Sequence, residues 1–159
     1  MLFQKKAKVL LAVADGKAIP LSEVPDEAFS SGLLGIGFAV EPKTGTVYCP
    51  IDGRIDSITD SKHAYTIISD DGLDVLVHIG IDTVELGGKG FLPMVAVGDR
   101  VKAGSVLARV DLDELRRADK PTVIPVLITD SDAVAHHDLI YGDVLGGKSE
   151  VLRYRLAKQ

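Results

Sequence analysis

The chain reads as an all-β protein, an antiparallel β-sandwich or barrel-like fold with a few short helical turns. Three observations predict this class. Short apolar runs alternate with turn signals along the whole chain. The run Leu73–Asp82 alternates cleanly, with Leu73, Val75, Val77, Ile79 and Ile81 pointing one way and Asp74, Leu76, His78, Gly80 and Asp82 the other. That period of two marks a strand with one buried face. Turn glycines Gly98 and Gly104 fix two further bends close together.

Taken in order, Val9–Val13 predicts a strand ended by Asp15-Gly16, and Ala18–Leu21 a short extended piece. Ser22–Phe29 predicts a helical turn. Leu33–Val40 is strand-like, with Gly35 and Gly37 marking a bulge or close approach of another group. Val47-Tyr48-Cys49 continues as a strand, Pro50–Gly53 turns, and Arg54–Thr59 extends again. A hairpin follows, built from His63–Ser69, Asp70-Asp71-Gly72 and Leu73–Asp82. Val84–Leu86 predicts a brief strand. Gly87-Gly88-Lys89-Gly90 lacks the Lys-Ser/Thr ending of a phosphate-binding loop and predicts a turn. Asp113–Ala118 predicts a short helix, Val123–Thr129 an apolar strand, and Ser131–Leu139 a second short helix capped by Ser131 or Asp132. Val151–Leu156 closes the chain as a strand with Leu152, Tyr154 and Leu156 on one side.

A length of 159 residues suits a single domain over 1–159, either a stand-alone unit or a fragment of a longer permease. Apolar residues at 46% argue against disorder, and a net charge of −5 argues against a nucleic-acid partner. The apolar stretch from Val9 to Ala14 is too short for an export signal, and no run approaches the roughly 18–20 residues that span a membrane. The expected location is the cytoplasm. Cys49 stands alone, so no intramolecular disulfide framework exists, and it reads as a small buried hydrophobe.

The chemistry concentrates on His63 and His78. A two-residue loop at Asp70-Asp71 places them directly opposite each other. A loop at Asp71-Gly72 puts Tyr65 opposite His78 and His63 on the diagonal. Opposed Cβ atoms lie about 5 Å apart and diagonal ones roughly 7–8 Å. A three-residue loop would send one histidine to the other face, so the paired register is expected. Imidazole titrates near neutrality, and two neighbours resist charging together, which keeps one neutral and nucleophilic. Phosphoryl transfer through a phosphohistidine, a zinc site and acid–base work all fit such a pair.

The motif Leu76-Val-His78-Ile-Gly-Ile-Asp-Thr-Val-Glu-Leu86, followed by Gly90-Phe91, together with Ser61-Lys-His63-Ala-Tyr65, resembles the glucose-type enzyme IIA domain of the bacterial phosphoenolpyruvate-dependent sugar phosphotransferase system. Val24–Phe29, Pro50–Gly53 and Val97–Gly104 support the resemblance, which covers roughly residues 8 to 156. It implies the glucose-permease IIA fold, related to the barrel-sandwich hybrid. It implies that His78 accepts a phosphoryl group on Nε2 and that His63 stabilises that group. The implied donor is the phosphocarrier protein HPr, and the implied acceptor is a cysteine on the IIB domain of a sugar permease. No cofactor is required, although zinc could bind His63 and His78 with a partner's carboxylate, without a catalytic role. Glucose, N-acetylglucosamine, sucrose, trehalose and β-glucoside systems all use similar domains.

Several further residues join the site on this reading. Asp82 could orient a ring or meet a basic donor, and Ser61 could donate to the phosphoryl group. Ile36, Phe38, Val40 and Leu76 are candidates for an apolar partner surface. Many relatives carry an Asp where this chain has Ile36, and Lys-Gly-Glu-Gly where it has Gly87–Gly90. Neither change removes the acceptor histidine. A zinc hydrolase would need about three protein ligands, and His136-His137, on the expected second helix, reads as exposed. A biotinyl or lipoyl carrier lacks its modified-lysine hairpin here. Proteins of this kind also regulate permeases and kinases through their phosphorylation state, a role that can coexist with transfer.

Overall fold

The structure is a computed structural model that describes residues 8–157. Residues 1–7 and 158–159 lie outside them. Along the described chain run β1 (Val9–Leu11), β2 (Gly16–Pro20), α1 (Glu27–Ser30), β3 (Ile36–Pro42), β4 (Thr46–Tyr48), β5 (Gly53–Ile58), β6 (Ala64–Ser69), β7 (Asp74–His78) and β8 (Phe91–Pro93). Then follow β9 (Arg100–Val101), β10 (Val106–Val110), α2 (Leu112–Arg117), β11 (Ile124–Ile128), β12 (Val134–Leu139), β13 (Gly142–Val144) and β14 (Glu150–Leu156).

Among the described residues three antiparallel sheets form, none closed into a barrel. The largest has the order β13-β2-β3-β11-β7-β6-β5-β9, and two three-stranded sheets, β1-β14-β12 and β4-β10-β8, complete the sandwich. Alternation along the central strands sends side chains to two different places. Val75, Val77, Phe38, Val40 and Val126 enter the main core between the sheets. Ile19, Ala39, Leu127 and the half-buried Leu76 face the other way, into a smaller core. That second core is roofed by Leu21, Val24 and Phe29, the apolar residues of the 3₁₀ turn Leu21–Glu23 and of α1. Asp26 caps α1 by accepting the Ala28 N–H at 2.8 Å. His78 continues the row of Leu76, so it sits on a sheet face that is covered rather than open to water.

The hairpin register differs from both expected ones. Ala64 pairs with His78, and Thr66 with Leu76. The loop is the three-residue Asp70-Asp71-Gly72: Gly72 takes φ 91°, its N–H reaches the Ser69 carbonyl at 2.9 Å, and the Ser69 N–H reaches that of Leu73 at 2.9 Å. A left-handed glycine at the third loop position is the usual closure of such a hairpin. Asp71 is also tied down from outside the hairpin, accepting from Tyr154 Oη at 2.6 Å and Lys8 Nζ at 3.1 Å.

Three other expectations are corrected. Residues 84–86 form no strand, because Thr83–Leu86 is a 3₁₀ turn ended by Gly87 at φ 60°. The second helix is a 3₁₀ turn, Ser131–Ala133, running into β12, whose backbone pairs with β14 from Val134↔Leu156 to Leu139↔Leu152. Tertiary pairing there overrides local propensity. His136 and His137 therefore lie on a strand, the first exposed and the second half-buried. Phe38 and Val40 are fully buried in the main core and present nothing to a partner, whereas Ile36 and Leu76 are half-buried. Cys49 is buried, as expected, and burial pushes its thiol pKa up. Among the described residues no helix is long and apolar enough to cross a membrane.

Candidate functional site

His63 and His78 meet although their strands are one residue out of the expected register. His63 precedes the first residue of β6 and follows Lys62, which turns the chain at φ 61°. At the strand end the pleat no longer dictates which face a side chain takes. The residue opposite His78 is Ala64, and its short side chain leaves room for the neighbouring imidazole. The two rings lie 4.8 Å apart between centroids at 83°, edge to face. The Ile79 N–H donates to the His63 carbonyl at 2.7 Å and fixes the two backbones.

Different groups hold each ring. His78 Nδ1 lies 2.7 Å from the Gly80 carbonyl oxygen. A carbonyl only accepts, so the proton is on Nδ1 and the lone pair of a neutral ring is on Nε2. Phe29 packs against the same ring, 5.0 Å between centroids and tilted by 59°. His63 Nδ1 instead meets two hydroxyls, Ser61 Oγ at 2.7 Å and Thr59 Oγ1 at 3.3 Å. Thr59 Oγ1 also accepts the Ala64 N–H at 3.1 Å. Ser61 thus acts on His63.

Burial governs the electrostatics. His63 is 6% exposed, and desolvation, helped by the adjacent His78, lowers its pKa to about 4. Desolvation also lowers His78, while the Gly80 carbonyl, Asp26 and Asp82 pull it back toward the charged form. Both rings are neutral at pH 7. Asp82 lies beyond the end of β7 at φ 58°, exposed, and reaches His78 through its field. A half-buried neutral imidazole with a free Nε2, beside a second, buried imidazole, suits nucleophilic attack followed by stabilisation of the group that arrives.

Comparison with known proteins places the chain in a family. Residues 8–134 match the model of the phosphoenolpyruvate-dependent sugar phosphotransferase system, EIIA 1 family. The chain belongs to this EIIA family. It is 40% identical over 154 residues to a PTS system glucose-specific EIICBA component of Streptococcus pneumoniae serotype 4 (strain ATCC BAA-334 / TIGR4), an alignment that spans 97% of this chain and 21% of the relative. The chain thus corresponds to about a fifth of that protein's length. Its fold matches glucose permease IIA from Mycoplasma capricolum with a TM-score of 0.84 at 32% identity, covering 96% of this chain and 99% of that one. An EIIA domain is a phosphotransferase component, a carrier of phosphoryl groups in sugar uptake.

Sequence reasoning brought His63, Ser61 and His78 together but missed Phe29, Thr59 and the structural part of Gly80. Gly80 had a signal, a glycine inside an alternating strand run. Phe29 had none, because it reaches His78 only through the fold of α1 over the sheet.

Proposed function

We propose that His78 is the phosphoryl acceptor of this EIIA domain and that it carries the group on Nε2. The observation that supports this most directly is the Nδ1–H bond to the Gly80 carbonyl, which leaves Nε2 as the nucleophile. In the first transfer the Nε2 lone pair attacks the phosphorus of a phosphohistidine on HPr. The new N–P bond forms as the donor's N–P bond breaks, and the donor imidazole leaves. Positive charge that develops on the His78 ring is stabilised by the Gly80 carbonyl and by the fields of Asp26 and Asp82. A Ser61 hydroxyl that donates to His63 Nδ1 leaves a proton on His63 Nε2, which then donates to the arriving phosphoryl oxygens. In the second transfer a cysteine thiolate on a IIB domain attacks phosphorus, and the His78 Nε2–P bond breaks. The sugar permease served is of the glucose class, the setting is the cytoplasm, and no cofactor takes part. Among the described residues no group of three or more His, Cys, Asp or Glu side chains is placed to hold a metal, so zinc at His63 and His78 would draw further ligands from a partner.

The test is incubation with phosphoenolpyruvate, enzyme I and HPr, read by intact mass at alkaline pH. A gain of about 80 Da, one phosphoryl group, that disappears in acid and is absent from His78→Ala is the expected result. A gain that persists in His78→Ala contradicts the assignment.

A further inference from the structure

Both peptide units after Ile79 are fastened at each end. The Gly80 N–H donates to the Val123 carbonyl at 3.0 Å, and the Ile81 N–H to that of Pro121 at 3.1 Å. The second bond pins the Gly80–Ile81 peptide by its N–H, and its carbonyl then points the opposite way, to His78 Nδ1. The first peptide's carbonyl, on Ile79, is taken by Thr83 Oγ1 at 2.7 Å. Thr83 is wholly buried. Its γ-methyl lies 2.5 Å from where a Cβ on Gly80 would fall, with Pro121 O at 3.0 Å and Leu115 Cδ2 at 3.1 Å closing the other sides. Only glycine fits, at φ 78°, and the non-glycine Asp82 is held left-handed at φ 58° one residue before Thr83. Two left-handed residues in so short a turn need an external hold.

Resting on the reading of His78 as acceptor, we propose that Thr83 is a positioning residue for phosphoryl transfer: its buried hydroxyl and methyl hold the Ile79–Gly80 turn so that the Gly80 carbonyl keeps the His78 proton on Nδ1. Without the hydroxyl the Ile79 carbonyl is left buried and unpaired, a cost of the kind that a backbone rotation relieves. A rotated turn no longer aims the Gly80 carbonyl at the ring. His78 then populates its other tautomer, with Nε2 protonated and its nucleophilic lone pair lost.

The experiment uses the full chain labelled with ¹⁵N-histidine. NMR reads the His78 tautomer without any phosphoryl donor, and phospho-HPr then measures the transfer rate. Wild type should show the Nδ1–H form. Thr83→Val, near in shape but without the hydroxyl, should show a measurable Nε2–H population and accept phosphoryl groups about tenfold to a hundredfold more slowly, the scale of a small misplacement. Thr83→Ser, which keeps the hydroxyl, should restore the wild-type tautomer and most of the rate. A folded Thr83→Val with wild-type tautomer and rate overturns the proposal. So does loss of rate in both variants with the tautomer unchanged, which would mean a general structural role. Should Thr83→Val not fold, Thr83→Ala replaces it, with the same two readouts deciding. Failure of the wild type to accept a phosphoryl group would strike at the acceptor reading instead, while the tautomer result would still stand.

Discussion

The two imidazoles are held by opposite kinds of partner. His78 meets a backbone carbonyl, which only accepts, so its tautomer is fixed before any partner arrives. His63 meets two hydroxyls, which can donate or accept and can turn. On the proposed reading, one ring attacks from a single nitrogen. Its neighbour is built to adjust when charge appears beside it. Phosphorylation brings roughly −1.5 to −2 charges, so the adjustable ring is the one that must respond.

The largest effect that would break this contrast comes from His78. His78→Ala should lose phosphoryl acceptance altogether, measured by intact mass, whereas any remaining acceptance on His63 would make the two rings interchangeable. His63→Ala should still be phosphorylated by phospho-HPr, yet pass the group to a IIB domain roughly a hundredfold more slowly, the usual scale of one proton-handling side chain. Rapid-quench measurement of each half-reaction separates the two steps, and equal losses in both would contradict the division of labour.

Ser61→Ala should cost less, because Thr59 still reaches Nδ1. A slowing of onward transfer by less than about tenfold is expected, in line with a net hydrogen bond of about 1 kcal/mol. The double variant with Thr59→Val should approach His63→Ala, and a double variant no worse than the single one would remove Thr59 from the site.

Acid stability sharpens the comparison further. His63 folds with a pKa of about 4, below the ordinary 6.5. As pH falls from about 6.5 toward 4, the unfolded chain binds a proton that the folded chain refuses. Stability therefore falls over that window and is flat above it, with up to about 3 kcal/mol lost through His63. Urea midpoints at pH 7 and pH 5 should differ less in His63→Ala than in wild type. In the phosphoprotein the His63 pKa should move up, because a neighbouring anion favours imidazolium. An unchanged value by NMR would place the phosphoryl group away from His63.

Tyr65, in β6 two residues after His63, serves as the control. It is fully buried, and its hydroxyl has no protein partner among the described residues. Tyr65→Phe should leave both transfers unchanged and raise the unfolding free energy by about 1 kcal/mol, since an unsatisfied buried hydroxyl is removed. Reduced stability by denaturant titration would show that the hydroxyl is satisfied after all.

Much of this was legible in the sequence, for physical reasons that differ by element. The alternation of Leu73 to Ile81 identified β7 because every second residue enters a core. The two histidines were recognisable as a pair, but not their register, since Gly72 is compatible with a two-residue or a three-residue loop, and the observed three-residue loop also brings Asp71 to Tyr154 and Lys8. The strand β12 was hidden behind a cap-like Ser131-Asp132, and only pairing with β14 decides it. Phe38 and Val40 were surface candidates from the resemblance and the local strands, but their face of the sheet packs into the main core, which only the tertiary fold shows. The tautomer of His78 was out of reach, because it depends on the direction of a single carbonyl set by Pro121, Val123 and Thr83 from outside the strand.

The most direct test is ³¹P–¹⁵N NMR on the phosphorylated chain, which reports which ring nitrogen bears phosphorus. Phosphorus is expected on Nε2 of His78, with Nδ1 still protonated toward Gly80. Phosphorus on Nδ1 of His78, or on either nitrogen of His63, would contradict it.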